Sequence, residues 1–168
     1  MKDTARLPAL SPDLVERFRA IVGASHALTD PDQQLPYLRE WRDLYEGRSA
    51  IVLRPGSTGE VSQIMALANV HNIPVVPQAG NTGLVGGQMP MHGEILVSVG
   101  RLKRVRALDA QGYTMTVEAG LTLAEAQGRV RIVTAVGPAR TAGLRDGSGQ
   151  LAMIVPDSSS SPNTRHGL

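Results

Sequence analysis

The chain has 168 residues, 42% of them hydrophobic, with 17 basic and 15 acidic side chains and no cysteine. That length suits one domain with a sizeable core, and with one Trp, one Phe and three Tyr the core must be aliphatic. A net charge of +2, with no aromatic residues interleaved in a basic stripe, argues against a nucleic-acid partner. The lack of cysteine excludes disulfides, thiolate catalysis and cysteine-based zinc or iron–sulfur sites within the chain. No apolar run approaches the ~18–20 residues that span a bilayer, and Met1-Lys2-Asp3-Thr4 leads into no apolar signal region. The expectation is a soluble, cytoplasmic chain without a transmembrane segment, with peripheral membrane attachment left open.

Ser11-Pro12-Asp13 opens a helix, because Ser can cap and Pro suits the first helical position. Leu14, Val15, Phe18, Ile21 and Val22 follow at helical spacing, and Gly23 is a natural stop. Residues 24–35 read as a loop, with Asp30-Pro31-Asp32 a turn rather than a metal site. A short second helix is expected over 36–45, with Leu38, Trp41, Leu44 and Tyr45 on one side and Trp41 as a packing anchor. Ala50-Ile51-Val52-Leu53 is a continuous apolar run, expected as a buried strand. Ser57 and Glu60 have capping-box spacing ahead of an amphipathic helix carrying Val61, Ile64, Met65 and Ala68. Ile73-Pro74-Val75-Val76 is the next strand, and Glu94–Val99 another. Short parallel strands with a crossover helix fit this order.

Residues 104–108 and 113–118 predict a hairpin around Asp109-Ala110-Gln111-Gly112, its second arm alternating with the period of a half-buried strand. Thr122 can cap a helix through Ala126. Beyond Gln127 the pattern loses consistency. Residues 129–133 and 151–155 can be strands, and Asp157 to Leu168 reads as disordered.

Between the second and third strands lies Pro77-Gln78-Ala79-Gly80-Asn81-Thr82-Gly83-Leu84-Val85-Gly86-Gly87. Its glycines let the backbone approach a ligand closely, and successive exposed N–H groups form a concave anion nest. Asn81 and Thr82 add side-chain donors. The natural guest is a phosphate or diphosphate. There is no Gly-Lys-Ser/Thr, so this is not a Walker loop, and Gly80-x-x-Gly83-x-x-Gly86 is not the Rossmann spacing. From spacing alone, a tight turn needing glycine for geometry is an equal alternative.

The order of the whole segment resembles the flavin diphosphate loop of FAD-linked oxidases with the vanillyl-alcohol oxidase/p-cresol methylhydroxylase type of FAD-binding domain. Within that family the D-lactate, glycolate and D-2-hydroxyglutarate dehydrogenases look most similar. Ile51–Pro55 with Thr58–Val61, Ser98–Val105, and Val117–Leu123 resemble the family's flanking strands and turns, so the likeness runs over about residues 10–127. It implies an α+β fold: a small parallel strand–helix–strand subdomain followed by a partial mixed or antiparallel sheet, truncated relative to the family. It implies FAD as cofactor. Pro77, Gln78, Ala79, Gly80, Asn81, Thr82, Gly83 and Leu84 would line its diphosphate and ribityl side, and Gly86, Gly87 and Gln88 would close the turn. With no cysteine, and no histidine in the loop, attachment is expected to be non-covalent. In the family, a small 2-hydroxy acid gives up a hydride to the flavin.

The expected division is an N-terminal helical segment (1–45), the first part of the FAD-binding domain (46–127) and an atypical tail (128–168), disordered or read out of frame. The family's second glycine-rich flavin segment and its substrate domain have no counterpart after Gln127, so no catalytic residue is carried over. The alternative is an inert fragment or a flavin-binding module, able to associate through exposed strand edges. His26, His71, His92 and His166 lack metal-ligand spacing and are expected to be structural or surface residues. Arg101, Arg104 and Arg106 read as a solvated basic face.

Overall fold

The computed structural model describes residues 9–109, 112, 114–128, 130–135, 144–145 and 151–156, from residue 127 on as backbone alone. The chain forms two compact units, residues 1–103 and 104–168.

In the first unit, α1 (Pro12–Val22) starts where the sequence says it should. Ser11 Oγ accepts the Leu14 N–H, and Gly23 ends the helix at φ 83°, its N–H returning to the Arg19 carbonyl. Phe18 and Val22 face the core. Residues 24–35 are not the expected loop. They contain a 3-10 turn (Ala24–His26), the strand β1 (Ala27–Leu28) and the start of α2 (Pro31–Leu38). Asp30 caps α2 by accepting the Asp32 N–H, with Pro31 at the first helical position, so the Asp-Pro-Asp turn is a helix start. The helix expected over 36–45 is therefore displaced towards the N-terminus. Trp41 is no packing anchor: it is 68% exposed and Leu44 67%.

Strand β2 (Val52–Leu53) is shorter than the apolar run, although Ile51 beside it is fully buried. Helix α3 (Thr58–Val70) follows a capping arrangement in which Ser57 Oγ accepts the Glu60 N–H. Glu60 reaches back to the Gly56 N–H, one residue beyond the usual box. Ile64 and Ala68 face inward as expected, but Met65 points to solvent and Leu67 packs instead. Strand β3 (Val75–Gln78) begins two residues late, after Asn72 takes a left-handed φ of 51° and Pro74 withholds an N–H. Strand β4 (Ile95–Ser98) is buried throughout.

The sheet order is β1-β2-β4-β3, with β1 antiparallel to β2 and the other neighbours parallel. Its strands alternate between two covered faces. Ile51, Leu53, Ile95 and Val97 pack with Phe18, Ile64 and Ala68 under α1 and α3, while Val52 and Leu96 join Leu28 against Tyr37 and Leu38 from α2. Burial on both faces explains why β2 and β4 read as unbroken apolar runs.

In the second unit, β5 (Val105–Asp109) and β6 (Thr114–Val117) make the expected antiparallel hairpin, with a register slip between Val105 and Ala107. Arg101, Arg104 and Arg106 are exposed, as a solvated basic face requires, and two of them are also paired. Arg104 and Arg106 both lie on the buried Glu118 carboxylate, which also accepts the Arg104 N–H at 3.0 Å. That backbone bond, opposed by burial and aided by the two arginines, holds Glu118 below the ordinary carboxylate range. In the first unit, the Arg101 guanidinium donates to the Arg54 carbonyl. Thr122 caps α4 (Leu123–Gly128) in a reciprocal box with Glu125. The strands expected at 129–133 and 151–155 are β7 (Val130–Ala135) and β9 (Leu151–Pro156), in a sheet ordered β7-β9-β8 with β8 at Leu144–Arg145. Disorder over 157–168 was an expectation for residues outside those described. Among the described residues, no helix is long and apolar enough to cross a membrane.

Ile64 is fully buried at the centre of the first core and Val70 is 71% exposed on the same helix. Ile64→Ala is expected to cost about 2–5 kcal/mol in denaturant unfolding followed by circular dichroism. Val70→Ala should stay within about 0.5 kcal/mol.

Candidate functional site

The glycine-rich segment leaves the carboxyl end of β3 and returns through Met89 to β4. In open sheets with parallel strands this end is where ligands bind. The segment is fastened by side chains that reach backbone carbonyls. Gln78, 3% exposed, donates from Nε2 to the Tyr37 carbonyl at 2.8 Å and to the Gln88 carbonyl at 3.3 Å. Asn81, at a left-handed φ of 53°, donates from Nδ2 to the Arg39 carbonyl at 2.8 Å. Arg42 donates to the Leu84 carbonyl, and Gln88 Nε2 to the Gly83 carbonyl at 2.9 Å. The Met89 N–H closes on the Gly86 carbonyl.

The carbonyls of Gly83, Leu84, Gly86 and Gln88 are thus engaged. Among the described residues, no backbone N–H from Gly80 to Gln88 has a hydrogen-bond partner. Gly80, Thr82, Gly83, Leu84 and Gly87 are exposed, so water satisfies these donors until an acceptor replaces it. The Asn81 Oδ1 atom is buried and unpartnered. The segment therefore offers a run of main-chain donors and carries no cationic side chain of its own.

The glycines differ in what they do. A Cβ at Gly87 would meet nothing within 4 Å, and at Gly80 only Thr82 Cγ2 at 3.8 Å, so those positions leave the outer face open. Gly86 has φ 75° and a Cβ there would lie 3.0 Å from Tyr45 Cε1, so both conformation and packing require glycine. A Cβ at Gly83 would come within 2.3 Å of Gln88 Oε1, displacing the carboxamide that holds the Gly83 carbonyl. Pro77 is an exposed residue of β3 paired with Val97. Of the expected site residues, the side chains of Gln78, Asn81 and Gln88 act within the protein, whereas Gly80, Thr82, Gly83, Leu84 and Gly87 are exposed.

Sequence reasoning missed the clamp. Glu40 is 1% exposed and accepts the N–H groups of Arg42 and Leu44 and the Arg42 guanidinium. Burial works against its charge, but the two backbone N–H groups and Arg42 outweigh it and hold the carboxyl below the ordinary range. Glu40 thus orients Arg42, and Arg42 holds Leu84. These links join positions 42 residues apart, and no local pattern announces them. A groove of about 530 Å³ lies between residues 35–43 and Gly80–Thr82.

The histidines stand apart from this chemistry. His71 Nε2 contacts the Arg17 guanidinium. His26 has a buried, unpartnered Nδ1 and a pKa lowered by burial and then by Arg101 and Arg54, against Glu60. The His92 N–H bonds to Glu94, and His166 lies outside the described residues.

Because the folded-state pKa of Glu40 is depressed, its contribution to stability is present above the ordinary value of 4.5 and is lost as pH falls below it. Glu40→Gln should therefore melt lower than the unsubstituted chain at neutral pH, with the difference narrowing as acid is added. Thermal unfolding across that range measures it.

Comparison with known proteins gives this geometry a family. The profile of a family described as "FAD binding domain" matches residues 49–142. A probable mitochondrial D-2-hydroxyglutarate dehydrogenase from rice is 39% identical over 114 residues, covering 68% of this chain and 20% of that protein. The corresponding zebrafish enzyme is 40% identical over 106 residues, or 63% of this chain and 20% of that protein. A putative mitochondrial D-lactate dehydrogenase from fission yeast is 33% identical over 124 residues, or 70% of this chain and 24% of that protein. The chain thus spans about a fifth to a quarter of the length of these relatives. Among solved structures, substrate-bound p-cresol methylhydroxylase is similar in fold, with a TM-score of 0.65 at 18% identity over 80% of this chain and 28% of that one. Alkyldihydroxyacetonephosphate synthase is similar with a TM-score of 0.63 at 17% identity over 91% of this chain and 30% of that one. The chain belongs to the FAD binding domain family, with the fold of the p-cresol methylhydroxylase type and FAD as its cofactor.

Proposed function

We propose that the segment from Pro77 to Gln88 holds the FAD diphosphate in a flavin-dependent oxidoreductase acting on a small D-2-hydroxy acid. One observation carries the reading: the run of partnerless backbone N–H groups from Gly80 to Gln88, exposed at the carboxyl end of β3. The residues fit the cofactor. A diphosphate needs several converging donors, and an anion on such a nest needs no lysine. The open space above Gly80 and Gly87 admits it closely. In this reading Gly80, Asn81, Thr82, Gly83 and Leu84 face the diphosphate, and Pro77 and Ala79 lead the chain to it. Gln78, Gly86, Gly87 and Gln88 set the turn. Attachment is non-covalent, since neither cysteine nor a loop histidine is present to form a bond.

When bound, FAD supplies the acceptor for the hydride of a 2-hydroxy acid. The part of this chain is to bind and orient it. The substrate class rests on the relatives, which are a probable D-2-hydroxyglutarate dehydrogenase and a putative D-lactate dehydrogenase. As a division of function we propose residues 1–45 as an N-terminal helical segment and 46–127 as flavin-binding. Residues 128–168 form an atypical tail whose reading frame departs from the family's. The loss of amphipathic pattern after Gln127 supports that departure, although the family match reaches residue 142. A glycine-rich flavin segment appearing downstream of Gln127 in another frame of the encoding DNA would bear it out; its absence from every frame would end it. The cytoplasmic location belongs to this proposal too, against the word mitochondrial in the relatives' names, and cell fractionation decides it.

Equilibrium dialysis and the visible spectrum test the binding function. The chain should retain FAD, and Gly83→Val should weaken binding at least about tenfold by displacing Gln88, the equivalent of one lost hydrogen-bonded anchor. Undiminished FAD binding by that variant would contradict the cradle. Bleaching of bound flavin by D-lactate or D-2-hydroxyglutarate, with a dye as final acceptor, separates a working oxidoreductase from a chain that binds FAD without turnover.

A further inference from the structure

We propose that the exposed ring of Trp41 is a stacking platform for one of the two planar ring systems of FAD, in a groove continuous with the diphosphate loop. The inference rests on the diphosphate reading of that loop and adds a subsite outside it.

Trp41 is 68% exposed and Leu35 is 49% exposed. Large apolar side chains standing together on a surface mark binding sites more often than isolated ones do. Both line the groove of about 530 Å³, which Gly80, Asn81 and Thr82 also line. That volume lies within the ~300–1,000 Å³ typical of small-molecule sites. Arg39, Glu40 and Asp43 line the groove as well, Arg39 paired with Asp43 and Glu40 with Arg42. Gly80–Thr82 offer backbone donors to an anion, and Trp41, Leu35 and Pro36 offer aromatic and aliphatic surface between those paired charges. A simple phosphate would use only the backbone donors. A dinucleotide, with a planar ring on each side of its diphosphate, uses both.

The Trp41 ring is also held in relation to the loop. The Arg42 guanidinium carbon lies 5.7 Å from the indole centroid. The same guanidinium is bonded to Glu40 and to the Leu84 carbonyl. The clamp that fixes the loop therefore fixes the residue carrying the ring, so stacking would require little reorganisation. Stacking on an aromatic face tolerates different flat heteroaromatic rings. Adenine and isoalloxazine are the two sources of such a ring in FAD.

Trp41 is the only tryptophan of the chain, so isotope-labelled protein gives a single indole N–H signal. FAD should shift that signal. ADP alone should reproduce the shift if adenine stacks on Trp41, and FMN alone if isoalloxazine does. In equilibrium dialysis Trp41→Ala should bind FAD about tenfold more weakly, while Trp41→Phe keeps most of the affinity. An unmoved indole signal with FAD bound, or unchanged affinity in Trp41→Ala, would overturn the subsite and leave the diphosphate reading standing. Failure of the unsubstituted chain to bind FAD would overturn both.

Discussion

A backbone that keeps a row of N–H groups free cannot hold itself in shape, because the bonds that would ordinarily fix it are the ones withheld. The segment from Gly80 to Gln88 meets this constraint by anchoring through its carbonyls and side chains. Gln78 reaches Tyr37, Asn81 reaches Arg39, and Arg42 reaches Leu84. Each bond uses a carbonyl or a side-chain donor and leaves the main-chain donors of the segment without a partner. The sheet supplies the rigid base, since β3 is paired along its length to the buried β4. The cradle depends on fastening the segment without spending its main-chain donors.

Glu40 shows how such a clamp tolerates a buried charge. Removing a carboxylate from water is costly unless it is paired and hydrogen-bonded. Here two backbone N–H groups and a guanidinium converge on it, and they also tie down the turn between α2 and β2. Glu118 in the second unit follows the same logic, accepting a backbone N–H beside two arginines. Glu40 organises backbone outside the regular elements, and Glu118 adds to the main-chain bond from its own N–H to the Arg104 carbonyl at the open end of the hairpin.

Much of the fold was legible because its signals are local. The caps at Ser11, Ser57 and Thr122 act over three residues, and a run such as Ile95–Val97 is buried on both faces whatever surrounds it. The glycine segment was legible as an anion nest, and the ordered likeness around it named the guest. What could not be read depends on distant partners. β1 has two residues and exists because β2 pairs with it. α2 carries a proline at its sixth position and an apolar pattern that continues past its end, so its extent followed the Asp30 cap rather than the periodicity. The spacing of Trp41 and Leu44 looked like a buried stripe, yet both are exposed. Glu40 and Arg42 belong to the site only through bonds to backbone that sequence spacing does not reveal.

The free donors are the centre of this account, and backbone hydrogen exchange reads them directly. Measured residue by residue without and with FAD, the amides between Gly80 and Gln88 should exchange fast in the free chain and slow on binding. Those of the interior of α3 should change little. Bound FAD with no protection anywhere in that segment would contradict the account.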